Sequence, residues 1–424
     1  VDARDDNNST LRDAAENGHL KICQWLTEYF GLTTNDARSH RNYALYSSAC
    51  NGHLDVCQWL STHFELTEND ARMWDNRILR WSAQRGHLAV CQWVSKRFNL
   101  TVKDARACDN QALRNAAING HLDVCQWLSE YFELNADDAR VCNNHALRGA
   151  AGNGHFEVCQ YLSEHFKLTT EDATDCNNQA LRGAAENGHL DLCQWLTKHF
   201  GLTRQHFGNI VVIFCQSSSN GHLDVCQWLT KHYELTIHDI LSYDCEALRR
   251  AACSGHINVC QWILSHFKLS NQVILHVCEN ALPSAGAGGH LSVCQWLAHV
   301  DHNENDVVTD GLGIEAFVSA AKNGHLKVSQ FLASHYNIDT AVVRTENVLS
   351  DVAMQGRLDV CQWLTKHFKL TPEDARVNNN EAFRGAASRG HLDVCKWLVD
   401  HFQLTSEDAK TLEVHSLAIR NGYN

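Results

Sequence analysis

Histidine and cysteine recur four residues apart along this chain, as in His53 with Cys57 and His121 with Cys125, among 27 histidines and 19 cysteines in 424 residues. Such a pair sits on one helical face and could offer two ligands to zinc. A structural zinc needs four ligands within bonding reach, and the next pair lies a full repeat away, so no metal site is expected. The turn histidine is expected instead to hydrogen-bond backbone at the start of the helix it precedes. A second set, His63, His165, His199, His232, His266, His335, His367 and His401, falls where helices would end. There a cation is mildly favourable with the helix dipole, which is account enough. No HExxH, P-loop, strand-borne GxGxxG or GxSxG occurs. A catalytic residue is normally singular, whereas here almost every polar residue has many copies. We expect no enzyme and no cofactor.

The elements that must position these residues are copies of one unit. A Gly-led turn recurs at Gly18, Gly52, Gly86, Gly120, Gly154, Gly188, Gly221, Gly255, Gly289, Gly324, Gly356 and Gly390, followed by His everywhere except at Arg357. The regular spacing, close to 34 residues, predicts an all-α solenoid of about twelve helical hairpins. It is expected to form one domain over 1–424. Repeats are regular over 1–201, divergent over 202–358, and regular again over 359–424, where the array ends in an open half-repeat.

Within a repeat, Thr followed three residues later by Asp is a capping box that starts a helix. It occurs as Thr33/Asp36, Thr67/Asp70, Thr101/Asp104, Thr169/Asp172, Thr236/Asp239, Thr371/Asp374 and Thr405/Asp408. In the fourth repeat Ala105, Cys108, Ala112, Leu113, Ala116 and Ala117 follow helical spacing. They predict one first helix of some fifteen residues ending at Gly120. The second helix carries Leu122, Val124, Cys125, Trp127, Leu128 and Phe132 round most of its circumference, which predicts a central position. Its aromatic ladder, Trp25, Trp59, Trp93, Trp127, Tyr161, Trp195, Trp228, Trp262, Trp296, Phe331, Trp363 and Trp397, is expected to be core packing. A further ladder places Asn8, Asn42, Asn76, Asn110, Asn144, Asn178 and Asn380 in mid-helix, where Asn is a poor choice. That implies side-chain hydrogen bonds between repeats, or a kink.

Segments such as ALRNAAINGHLDVCQWL (112–128) and ALRGAAENGHLDLCQWL (180–196) resemble the ankyrin repeat, with its Leu-x-x-Ala-Ala, Gly-His and Val/Leu-rich second helix. The resemblance covers essentially the whole chain and is nearest to long ankyrin arrays of protists and large DNA viruses. Thr-Pro and the Gly-containing hairpin of that family are absent, and a capped LTxxDAR segment stands in their place. An array without β-hairpin fingers is therefore expected. The resemblance implies a non-catalytic scaffold for protein partners, whose identity the sequence does not reveal. The open ends, with Asp2-Ala3-Arg4 at one and Leu417 to Asn421 at the other, raise the alternative of a structural subunit that assembles end to end into a filament or particle layer.

A formal net charge of −13 argues against nucleic acid and against an anionic membrane surface. No window approaches 18 apolar residues. Divergent segments such as FGNIVVIFCQSSSNGH (207–222) and the acidic DHNENDVVTDG (301–311) read as a bend, a contact surface or drift.

Counting back from the turn histidine, positions −14, −10, −6 and −3 vary from repeat to repeat and share one face of the first helix. They carry Tyr43, then Met73, Arg77 and Trp81, then Gln111, Asn115 and Ile118, then His145. These types are enriched at contact surfaces, so the eight are the expected partner-binding residues.

Eleven cysteines share one repeat position, at Cys23, Cys57, Cys91, Cys125, Cys159, Cys193, Cys226, Cys260, Cys294, Cys361 and Cys395. Stacked helices lie roughly 8–10 Å apart. A disulfide needs Cα atoms within about 7 Å. The ladder is therefore expected to be reduced and buried, in a cytoplasmic protein. Few thiols should react with a maleimide in the native state and many after denaturation. Extensive disulfide linkage would overturn both expectations.

Overall fold

The computed structural model describes residues 5–268, 281–300 and 309–405. Asp2-Ala3-Arg4, most of the acidic segment (301–308), the Thr405/Asp408 box and the terminal half-repeat lie outside the described residues. The chain divides into two compact units, Val1–Ile210 and Val211–Asn424. Each is built of antiparallel helix pairs, and there is no strand among the described residues.

The fourth repeat shows the plan. Thr101 opens a single helical turn, Val102–Ala105. A second segment, Ala107–Ile118, leads to Gly120, and Leu122–Tyr131 returns antiparallel. The expected first helix of fifteen residues is not continuous. Cys108, Asp109 and Asn110 all adopt left-handed backbone, with φ of 51°, 56° and 53°. The same three-residue elbow recurs at His40–Asn42, Trp74–Asn76, Cys142–Asn144, Cys176–Asn178 and Asn378–Asn380. Left-handed conformation costs L-residues on the order of 1 kcal/mol or more each, and Asn tolerates it best. Apolar periodicity continues through the elbow, which is why spacing alone read it as helix.

Both readings of the Asn ladder hold. The seven Asn side chains are buried, and each has positive φ. Asn42 Nδ2 donates to Asp70 Oδ1 of the next repeat at 3.1 Å, and Asn110 to Asp138 at 3.1 Å. The elbow is also clamped from its own repeat. Arg114 donates to the carbonyls of Asp109 and Cys108 at 2.6 and 3.0 Å, and Arg148 to those of Asn143 and Cys142.

The capping-box aspartate is the point where repeats join. Asp70 Oδ2 accepts from the Thr67 amide at 2.7 Å and from its hydroxyl at 2.9 Å. Arg38 of the preceding repeat closes on the same carboxylate as a fork, Nε to Oδ1 at 2.8 Å and Nη2 to Oδ2 at 2.9 Å. The fork repeats as Arg72–Asp104, Arg106–Asp138, Arg140–Asp172 and Arg344–Asp374. Where Thr174 replaces the arginine, His206 replaces the next aspartate, and its Nδ1 accepts from the Thr203 amide at 2.9 Å. Both ends of the pair changed together.

The turn histidines do not bond the start of the second helix. No side-chain cap bond forms at His87 or His121. His121 instead reaches back to the carbonyl of Gln84, at 3.0 Å from Nε2, and His325 to that of Ala287 at 2.9 Å. The ring lies over the preceding turn, and a Cβ on Gly86 would stand 2.5 Å from His121 Nδ1. Gly86 thus serves twice, with φ of +77° and with room for its neighbour. At the divergent turn Arg357 fills the same slot over Gly324.

The core is a ladder of Val, Cys and Leu from second helices against Ala and Leu from first helices. Ten of the eleven ladder cysteines are buried free thiols, and Cys395 is half-buried. Burial pushes the Cys57, Cys260 and Cys361 thiols up to about 12, so they are neutral. The aromatic ladder is not core, because Trp25 is 54 % exposed and its repeat equivalents are half-buried. The second helix is correspondingly one-sided, with Asp55, Gln58, Thr62 and His63 exposed.

Burial opposes ionisation of Asp70, Asp104, Asp138, Asp172 and Asp374, but the guanidinium fork and the capping donors outweigh it and hold each pKa below the ordinary value. A carboxyl depressed on folding contributes stability above its unfolded pKa of about 3.9, and loses it as pH falls through the folded value. Urea stability should therefore fall most steeply below about pH 4, after a shallower loss below about pH 6.5 as His87, His145, His155 and His256, held below the ordinary value by burial, take up protons. Asp104→Asn should cost about 1–3 kcal/mol at pH 7 and make that fall shallower. An unchanged acid profile in the variant would contradict the assignment.

Candidate protein-contact surface

The variable stripe of the first helices is mostly a set of matched pairs between neighbouring repeats. Position −7 of one repeat meets position −10 of the next. Arg12 lies over the Tyr43 ring at 5.5 Å, Arg77 over Tyr46 at 4.2 Å, Arg80 bonds Gln111, and Arg114 meets His145 Nδ1 at 3.1 Å. Position −3 meets position −6 in the same way. Gln84 accepts from Asn115 at 2.9 Å, and the Ile118 side chain occupies the space that a Cβ on Gly149 would need. Tyr43 also donates to Glu16 Oε2 at 3.2 Å. These positions are therefore not free to vary one at a time, since each is fitted to a partner.

Of the eight expected residues, Met73 is exposed and the other seven are half-buried. Gln111, Asn115, Ile118 and His145 are engaged between repeats and do not join the others in one patch. What does come together is a cluster across the second and third repeats. Arg77 lies 4.2 Å from the Tyr46 ring centroid, 5.2 Å from Trp81 and 5.5 Å from Trp74. Arg41 lies 4.6 Å from Trp74, Tyr46 meets Trp81 edge-on at 6.3 Å, and Tyr43 meets Tyr46 at 5.8 Å. Met73 and Trp74 are 38 % and 48 % exposed, so the cluster has an open apolar rim.

Three of its members, Arg41, Tyr46 and Trp74, escaped the sequence reading. Arg41 and Trp74 lie in the left-handed elbow, off the helical face that was counted. Tyr46 stands at a position that is arginine in the following repeats, at Arg80, Arg114 and Arg148, and that change was its signal.

A second surface missed in sequence runs along the second helices. All eight helix-ending histidines stack on the aromatic ring four residues earlier. Examples are Trp59–His63 at 5.2 Å, Trp195–His199 at 4.6 Å and Phe331–His335 at 5.3 Å. Tyr29 and Tyr131 take the histidine's place over Trp25 and Trp127. The i, i+4 spacing was legible, and the dipole account overlooked the stack.

A family model described as ankyrin repeats (3 copies) matches residues 79–178, 113–206 and 181–274. No curated protein matches the chain. No helix among the described residues is long and apolar enough to cross a membrane.

Proposed function

Residues 79–274 are ankyrin repeats, modules that generally mediate protein–protein interaction, and we propose that the whole chain is one array acting as a non-catalytic scaffold. The observation that carries this reading is the cluster of Arg41, Tyr46, Trp74, Arg77 and Trp81. Trp, Tyr and Arg dominate the energetics of protein contacts, and rings held in place by guanidinium groups lose little freedom on binding. Buried free thiols favour a reducing, intracellular setting. The double substitution Arg77→Ala with Trp81→Ala removes contacts outside the buried Ala/Leu/Cys set. It should leave the helical circular dichroism intact and abolish partner recovery by the tagged chain. Gln58→Ala, on the opposite exposed face, should leave recovery unchanged. Equal recovery by all three proteins would overturn the assignment.

A further inference from the structure

From the Arg41/Arg77 pair we infer that the ring cluster docks an acidic, carboxylate-bearing peptide segment of its partner; the inference rests on the contact-surface reading above. In the first compact unit most other arginines of the repeats are committed. Arg38, Arg72, Arg106 and Arg140 close on aspartates, and Arg80, Arg114 and Arg148 on elbow carbonyls. Arg41 and Arg77 have no ion-pair partner among the described residues. Their guanidinium carbons lie 4.6 and 5.5 Å from the same Trp74 centroid, so they are no further apart than about 10 Å. Two uncompensated cations this close repel one another, and an anion between them relieves that repulsion.

The placement is particular to this part of the chain. The elbow position of Arg41 is acidic in the next two repeats, at Asp75 and Asp109, and neutral at Asn143 and Asn177. The position of Arg77 is Gln111 in the fourth repeat and His145 in the fifth. A chain with a net charge of −13 thus places within its ring cluster two guanidinium groups without an ion-pair partner among the described residues. A guanidinium over a ring spends none of its N–H donors on the ring carbons, so the donors remain available to a bidentate carboxylate. Met73 and Trp74 beside them suit an apolar side chain on the same segment. The overall negative charge opposes a polyanion as long as a nucleic acid, whose affinity comes from many phosphate contacts.

The test is fluorescence anisotropy on the full chain with four labelled probes. These are a peptide alternating Glu with Leu, its Lys-for-Glu counterpart, a Ser-for-Glu counterpart carrying phosphoserine, and a short oligouridylate. The Glu peptide should bind best and weaken with salt. Arg41→Gln and Arg77→Gln together should lower its affinity about tenfold or more. Arg41→Gln alone, at an exposed elbow position, should show part of that loss even if the pair disturbs packing. If the Lys peptide binds equally well and requires Trp81, the contact surface stands and the acidic partner does not. Tighter binding of the phosphopeptide or of the oligouridylate would likewise replace the carboxylate. If no probe responds to substitution of Arg77 or Trp81, both readings fall.

Discussion

The regular repeats depend on one carboxylate per joint. In a stack of helix pairs, each repeat must fix its own helix start and also the height and rotation of its neighbour. The Asp70-type residue does both, taking the capping donors of its own repeat on one oxygen and the preceding repeat's arginine across both. The Asn42-type residue adds a further donor from the same neighbour. A charged group this enclosed is tolerable only when nearly all its acceptor sites are filled. Local helix formation and repeat stacking are therefore not independent, because an incorrectly stacked neighbour strips the aspartate of its countercharge.

The left-handed elbow follows from that constraint. An unbroken first helix would carry the Asn onto a helical face. Three left-handed residues instead turn its amide toward the next aspartate while the repeat's own arginine gathers the elbow carbonyls. The cost in backbone conformation is offset by hydrogen bonds that exist only when the next repeat is in place. The capped turn and the elbow together take the place of the family's hairpin finger, as the missing Thr-Pro and hairpin glycine imply, with side chains such as Arg41 and Trp74 at the corner.

Much of this was legible before any coordinates. The period, the Thr/Asp boxes, the buried cysteines and the inter-repeat role of Asn all follow from spacing and residue chemistry. A kink is legible from the Asn ladder, but its three-residue left-handed form is not, since Cys108 and Ala112 keep helical apolar spacing across it. The histidine latch was missed because its acceptor, the Gln84 carbonyl, belongs to a backbone position that carries no side-chain signal. The pairing of Gln111, Asn115, Ile118 and His145 with neighbouring repeats is hidden in the sequence for a different reason. Variation between repeats was taken as freedom, but Arg80 with Gln111 and Ile118 with Gly149 vary as pairs. Only comparison of one repeat with the next, position by position, separates matched contacts from an unpaired cluster such as Arg41 and Arg77.

The coordinated change at Thr174 and His206 bears on how such an array can change length. Among the early repeats every arginine meets an equivalent aspartate, so loss or duplication of a whole repeat rejoins a like pair and leaves no charge stranded. The Thr174/His206 joint is keyed differently. Splicing Thr174 onto a repeat that begins with the usual aspartate would leave that carboxylate without its guanidinium, and splicing Arg140 onto His206 would set cation against imidazole. The array is thus interchangeable within its early regular stretch and locked in order at this joint, whose two sides fit only each other.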